Sequence, residues 1–161
     1  SGLNAFVIGY RIGSGQMATE DLAAAISYTF RNAESLGVDT KYYSVWGGSA
    51  GARMAGNIAL RGVEAFGGDS IAKPVTAVIA YTGQSSYSSD FSPAFITVAA
   101  NDWIANVNTV ERRVQNLRNA GVEVEYQRYE NAGHGFGLGT GTDADGWVDL
   151  AVKFWQQHID E

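Results

Sequence analysis

Tyr42–Arg61 reads YYSVWGGSAGARMAGNIALR. Its first five residues, Tyr42–Trp46 (YYSVW), are aromatic and β-branched as a strand requires. Ala50–Arg61 reads as a helix, with Gly62 just past its end. Between them Gly47-Gly48-Ser49-Ala50-Gly51 matches G-x-S-x-G. A strand that passes into a helix through one serine forces that serine into a strained turn. Larger side chains two positions to either side are expected to collide there. Glycine and serine are common in this chain, so the pentapeptide alone says little. Its setting between strand and helix gives it weight, and it makes Ser49 the candidate nucleophile.

A serine nucleophile needs a base, and the chain has two histidines. His134 lies in Asn131-Ala132-Gly133-His134-Gly135-Phe136-Gly137, a loop directly after the last strand-like run, where flanking glycines allow a tight turn. His158 sits near the carboxyl end of the final helix beside Gln156, Gln157, Asp160 and Glu161, and reads as a surface histidine. The third member should orient the imidazole and stabilise its charged form. Asp102 lies just past the run AFITVAA, after Asn101. Asp69, Asp90, Asp143 and Asp145 are loop alternatives, Asp90 being the nearest rival, whereas Asp39 precedes its strand.

Outward from this centre, strand-like and helix-like segments alternate. Ala5–Arg11 (AFVIGYR) reads as a buried strand. Thr19, with Glu20 and Asp21, begins a helix with Leu22, Ile26, Phe30 and Ala33 on one face and Gly37 as its stop. Val75–Thr82 and Ala94–Ala100 are further strands. Asn108 or Thr109 caps a helix through Val110, Val114 and Leu117, stopped at Gly121. Val122–Tyr129 alternates as an edge strand does. Gly146–Ile159 is an amphipathic helix with Trp147, Leu150, Ala151, Phe154 and Trp155 toward the core. The fold class is therefore α/β, a three-layer α/β/α sandwich around a mostly parallel sheet of about five strands. Ligands bind such sheets outside the carboxyl ends of the strands. Tyr81, Trp103 and Phe136 fall there or beside the proposed acid and base, as candidate substrate-binding residues.

The 161 residues suit one domain. A net charge of −6 disfavours nucleic acid and anionic membrane surfaces as partners. The absence of cysteine excludes disulfides and thiol nucleophiles. It leaves the compartment open, with a cytoplasmic location favoured. No acidic or histidine cluster has metal-ligand spacing. Gly9, Gly13 and Gly15 fit neither phosphate-loop pattern, so no metal or cofactor is expected.

The stretches WGGSAGARMA, AAND with Asp102, AGHGFGLGTGT and GWVDLAVKFW resemble the bacterial esterase/lipase family of α/β-hydrolases. That family includes acetyl-ester and carbohydrate-ester hydrolases, and the order Ser49, Asp102, His134 is that of its triad. The resemblance implies Ser49 as nucleophile, Asp102 as acid, His134 as base and the Ala50 backbone N–H as an oxyanion donor. It further implies a small acyl ester, acetylated carbohydrate among the options, as substrate. The family's upstream strand and His-Gly-Gly loop have no counterpart here, so the chain is expected to be the carboxyl-terminal portion of the fold. Two consequences are expected. Turnover is slow or absent if the lost donors matter, and Ala5–Arg11 either pairs directly with Tyr42–Trp46 or leaves that edge to another chain. A homo-oligomer is the favoured outcome.

Overall fold

The structure, a computed structural model, describes residues 3–82 and 86–159. Four parallel strands form one sheet in chain order: β1 (Ser44–Gly48), β2 (Thr76–Ala80), β3 (Ala94–Ala99) and β4 (Val124–Tyr129). Ser44 sits beside Thr76, Ala77 beside Ala94, and Ala94 beside Val124. The helices are α1 (Gly15–Arg31), α2 (Ala33–Leu36), α3 (Ala50–Arg61), α4 (Val107–Asn119) and α5 (Trp147–Gln156).

β2 and β3 are buried along their whole length, as runs covered on both faces must be. On one face Val45, Ala77, Ile79, Ile96 and Val98 pack against Ala23 of α1, Ala55 and Ile58 of α3, and Val114 and Leu117 of α4. On the other, Val78, Ala80 and Phe95 meet Trp147, Ala151 and Phe154 of α5. Phe95, fully buried, has the rings of Trp147 and Phe154 each 6.2 Å away. Burying a side chain of that size contributes about 1.5–3 kcal/mol. The three-layer arrangement follows, and it aligns the carboxyl ends of all four strands along one margin.

Among the described residues the sheet has four strands, not five. Residues 3–13 form no strand, and Val7 and Ile12 are 98% and 95% exposed. An apolar run becomes a strand only when its N–H and C=O groups find a ladder. Here the backbone N–H and guanidinium of Arg11 bind the Asp21 carboxylate instead. This ties the segment to α1, and Ala5–Arg11 does not pair with β1.

Three smaller differences have equally local causes. The first helix starts at Gly15, because Ser14 accepts the Met17 N–H as its cap. Thr19 is buried inside that helix, donating to the Gly15 carbonyl and accepting from Asn57. Asn106 caps α4, accepting from Asn108 and Thr109. Leu150 faces outward at 39% exposure, while Trp155 sends its indole N–H to the Tyr42 carbonyl. The loop Gly83–Ser92 is described from Ser86 onward; Gly83, Gln84 and Ser85 lie outside the described residues.

Candidate active site

β1 ends at Gly48 and α3 begins at Ala50, so Ser49 alone makes the turn, at φ 53° and ψ −114°. A non-glycine residue held there stores on the order of 1–3 kcal/mol of strain. The turn is anchored from β2, whose Ala80 carbonyl accepts the Ser49 N–H at 3.0 Å. A Cβ on Gly47 would lie 2.1 Å from the Gly51 carbonyl oxygen, and one on Gly48 would lie 2.5 Å from the Tyr81 ring. Gly51 has open space around it. Of the two outer positions of the pentapeptide, only Gly47 is sterically obliged to be glycine.

Asp102 lies just past β3, and its side chain is fully buried. One carboxylate oxygen accepts the N–H groups of Ile104 and Ala105 at 2.8 and 2.7 Å. The other lies 2.8 Å from His134 Nδ1. Three donors meet the hydrogen-bonding demand of a carboxylate removed from water. A carboxylate only accepts, so Nδ1 carries the proton and Nε2 is left to accept. Nε2 lies 3.1 Å from Ser49 Oγ, across 85 residues of sequence. The fold thus gathers Ser49, His134 and Asp102 into one chain of hydrogen bonds.

The loop carrying His134 is held by Asn101, which the sequence did not single out, and by Asp143, which it offered only as an alternative acid. Asn101 Oδ1 accepts the N–H groups of Ala132 and Gly133, and Asp143 accepts that of Asn131. Gly137 is fixed through its carbonyl, which accepts the Trp147 indole N–H at 2.7 Å. Only their place beside a strand end or a glycine loop could have marked Asn101 and Asp143. Asn101→Ala should detach the loop from the β3 end and lower the rate of covalent labelling at Ser49 about tenfold, the cost of the broken bonds. The melting temperature should stay within a few degrees, and comparing the two measurements separates loop from fold.

Tyr81 reaches His134, whereas Phe136 touches Tyr81 and not the imidazole among the ring contacts of the described residues, and Trp103 touches neither. The Tyr81 ring lies 5.2 Å from the His134 ring and 4.9 Å from Phe136, both edge-on. Phe136 also contacts Tyr129 and Trp147, so it packs as core. Trp103 is 83% exposed, and among the described residues it joins no ring contact. Burial raises the Tyr81 phenol above its ordinary pKa; the Gly137 N–H opposes this and the Asp102 charge adds to it. A hollow of about 230 Å³ lies between Trp46, Tyr81, Gly137 and Trp147, and neither Ser49 nor His134 lines it. Ala50, first residue of α3, has an amide with no carbonyl one turn back to bond.

The remaining carboxylates are committed elsewhere. Asp69 pairs with Arg31, Asp143 staples the base loop, and Asp39, Asp90 and Asp145 are exposed. His158 is not a free surface residue. Its ring bonds the Phe154 carbonyl at 2.8 Å and Glu123 at 2.5 Å, joining the end of α5 to the start of β4.

A family model described as alpha/beta hydrolase fold matches residues 65–138. Among solved structures, an alpha/beta hydrolase from a Medee basin deep-sea metagenome library is 21% identical with a TM-score of 0.74. The match covers 90% of this chain and 66% of that one. A propionate-bound thermophilic esterase from Thermogutta terrifontis is 20% identical at TM-score 0.75, over 92% of this chain and 70% of that one. An acetyl ester-xyloside bifunctional hydrolase from Caldicellulosiruptor lactoaceticus is 19% identical at TM-score 0.76, over 92% and 69%. No curated protein matches the chain. This chain therefore spans about two thirds of the length of the structures it resembles. Its parallel sheet, its strand-to-helix turn at Ser49 and these structural likenesses give the chain the α/β-hydrolase fold.

Proposed function

We propose that the chain carries the catalytic centre of a serine carboxylic-ester hydrolase acting on small acyl esters. The observation behind this reading is the unbroken relay from Ser49 Oγ through His134 to the buried Asp102 carboxylate. Ser49 Oγ attacks the ester carbonyl as His134 Nε2 takes its proton. The carbonyl electrons move onto oxygen, giving a tetrahedral oxyanion that the Ala50 N–H is placed to stabilise. Collapse of this species breaks the bond to the alcohol, which leaves with the proton from His134. Water then attacks the acyl-enzyme by the same steps and releases the acid. Asp102 holds the imidazole tautomer and offsets its charge while it is protonated.

The likeness to an acetyl ester-xyloside hydrolase and to a propionate-bound esterase supports short acyl groups. Acetylated carbohydrate is the substrate class we favour. The test is covalent labelling with a fluorophosphonate, followed by turnover of an acetyl and a butyryl ester. Label should fall on Ser49 alone and vanish in Ser49→Ala, with acetyl preferred. Labelling at another serine, or unchanged labelling in the variant, refutes the nucleophile. Labelling without measurable turnover marks a hydrolase-fold domain whose residues are in place but whose oxyanion is too poorly stabilised.

A further inference from the structure

Two hydrogen bonds, through Nδ1 and Nε2, define an axis across the His134 ring and leave the ring free to rock about it. From the surroundings of that ring we infer that Tyr81 is a positioning residue for His134, an inference resting on the serine-hydrolase reading above. Tyr81 and Ser49 are the non-glycine residues with positive φ among the described residues, at 42° and 53°. They sit at the ends of neighbouring strands, β2 and β1. The left-handed backbone at Tyr81, anchored by its N–H on the Thr97 carbonyl at 2.8 Å, turns the phenol across the elbow toward the base loop. Gly48 has no Cβ where that phenol passes. The ring then stands against the imidazole at an interplanar angle of 64°. It also packs edge-on against Phe136, two residues beyond the histidine, at 4.9 Å. One side chain thus walls His134 and packs against its loop.

The same arrangement explains why tyrosine occupies a position whose backbone favours glycine. Glycine would relieve the strain but would remove the ring that stands against His134 and Phe136. A residue kept for packing alone would gain nothing from the strained backbone, so the strain marks a demand on where the ring points.

The experiment compares wild type with Tyr81→Phe, Tyr81→Gly and Tyr81→Leu. Two readouts are used: the fluorophosphonate labelling rate and the deshielded proton resonance of the His134–Asp102 bond, assigned by its loss in His134→Ala. Tyr81→Gly and Tyr81→Leu should label about 10–100-fold more slowly, as expected when a reacting group is displaced by a fraction of an ångström to an ångström. Their resonance should broaden or disappear. Tyr81→Phe keeps the ring contacts and should stay within about threefold, no more than one neutral hydrogen bond is worth, with the resonance retained. The leucine variant fills the volume without a planar edge and decides the matter if the glycine variant does not fold. Wild-type labelling and an intact resonance in the glycine or leucine variant overturn the inference, as does a phenylalanine variant as slow as they are. A wild type that takes no label refutes the acyl-enzyme reading instead, and the resonance alone then decides the role of Tyr81.

Discussion

His134→Ala should lower ester hydrolysis or serine labelling by about 10⁴–10⁶-fold, the scale seen when the base of a serine triad is removed. The reason is geometric. Nε2 at 3.1 Å is the one imidazole nitrogen within reach of Ser49 Oγ among the described residues, and without it the hydroxyl keeps its proton. Asp102→Asn should cost about 10⁴-fold. The amide can donate as well as accept, so it no longer forces the proton onto Nδ1. His158→Ala is the control. Removing its bonds to Phe154 and Glu123 should cost about 1–2 kcal/mol of stability and leave the rate within a few-fold. Rates and denaturation midpoints measured together check this. Similar rate losses at both histidines would mean that fold damage is being measured.

The second large effect contrasts two glycines of one pentapeptide. Gly47→Ala places a methyl carbon 2.1 Å from the Gly51 carbonyl oxygen and 2.6 Å from the Ala52 nitrogen. Those are backbone atoms of the first turn of α3, which can yield only if the helix moves. Overpacking of this kind costs about 1–3 kcal/mol or more, and any shift carries Ser49 with it. The variant should lose at least about 100-fold in labelling rate and unfold at lower denaturant. Gly51→Ala meets open space inside a helix, where alanine is favoured over glycine by about 1 kcal/mol. It should fold at least as stably as the parent and retain most of its rate. Parallel denaturation curves and labelling rates decide it, and equal damage in both variants would contradict the steric account.

The contrast shows how far the sequence could be read. G-x-S-x-G between strand and helix pointed to the turn, but its two outer glycines look alike in one dimension and differ only once α3 is placed. β2 and β3 were legible because a strand covered on both faces must be apolar throughout. Ala5–Arg11 has the same composition, yet a run of letters does not say whether a ladder is available, and the Arg11–Asp21 pair takes the segment elsewhere. The cap of α1 is ambiguous in the sequence because Ser14 and Thr19 are both good caps, and only tertiary contact with Asn57 shows which one lies inside. The residues gathered at the site were visible from chain order and strand ends. The bonds made by Asn101, Asp143 and the His158–Glu123 pair were not, since polar loop residues carry no periodicity and their partners lie 12 to 35 positions away.

All four strands run parallel and neighbour one another in chain order, and this shapes how the centre comes into being. A parallel pair cannot close through a hairpin; each needs a crossover, whose loop entropy is lost before its contacts form. Ser49 leaves the first strand and His134 follows the last, with Asp102 after the third. The relay cannot exist until every crossover has closed, and no partly folded chain holds a working half of it. A reagent that reads the reactivity of Ser49 therefore counts completed molecules, distinguishing a finished sheet from a merely collapsed one.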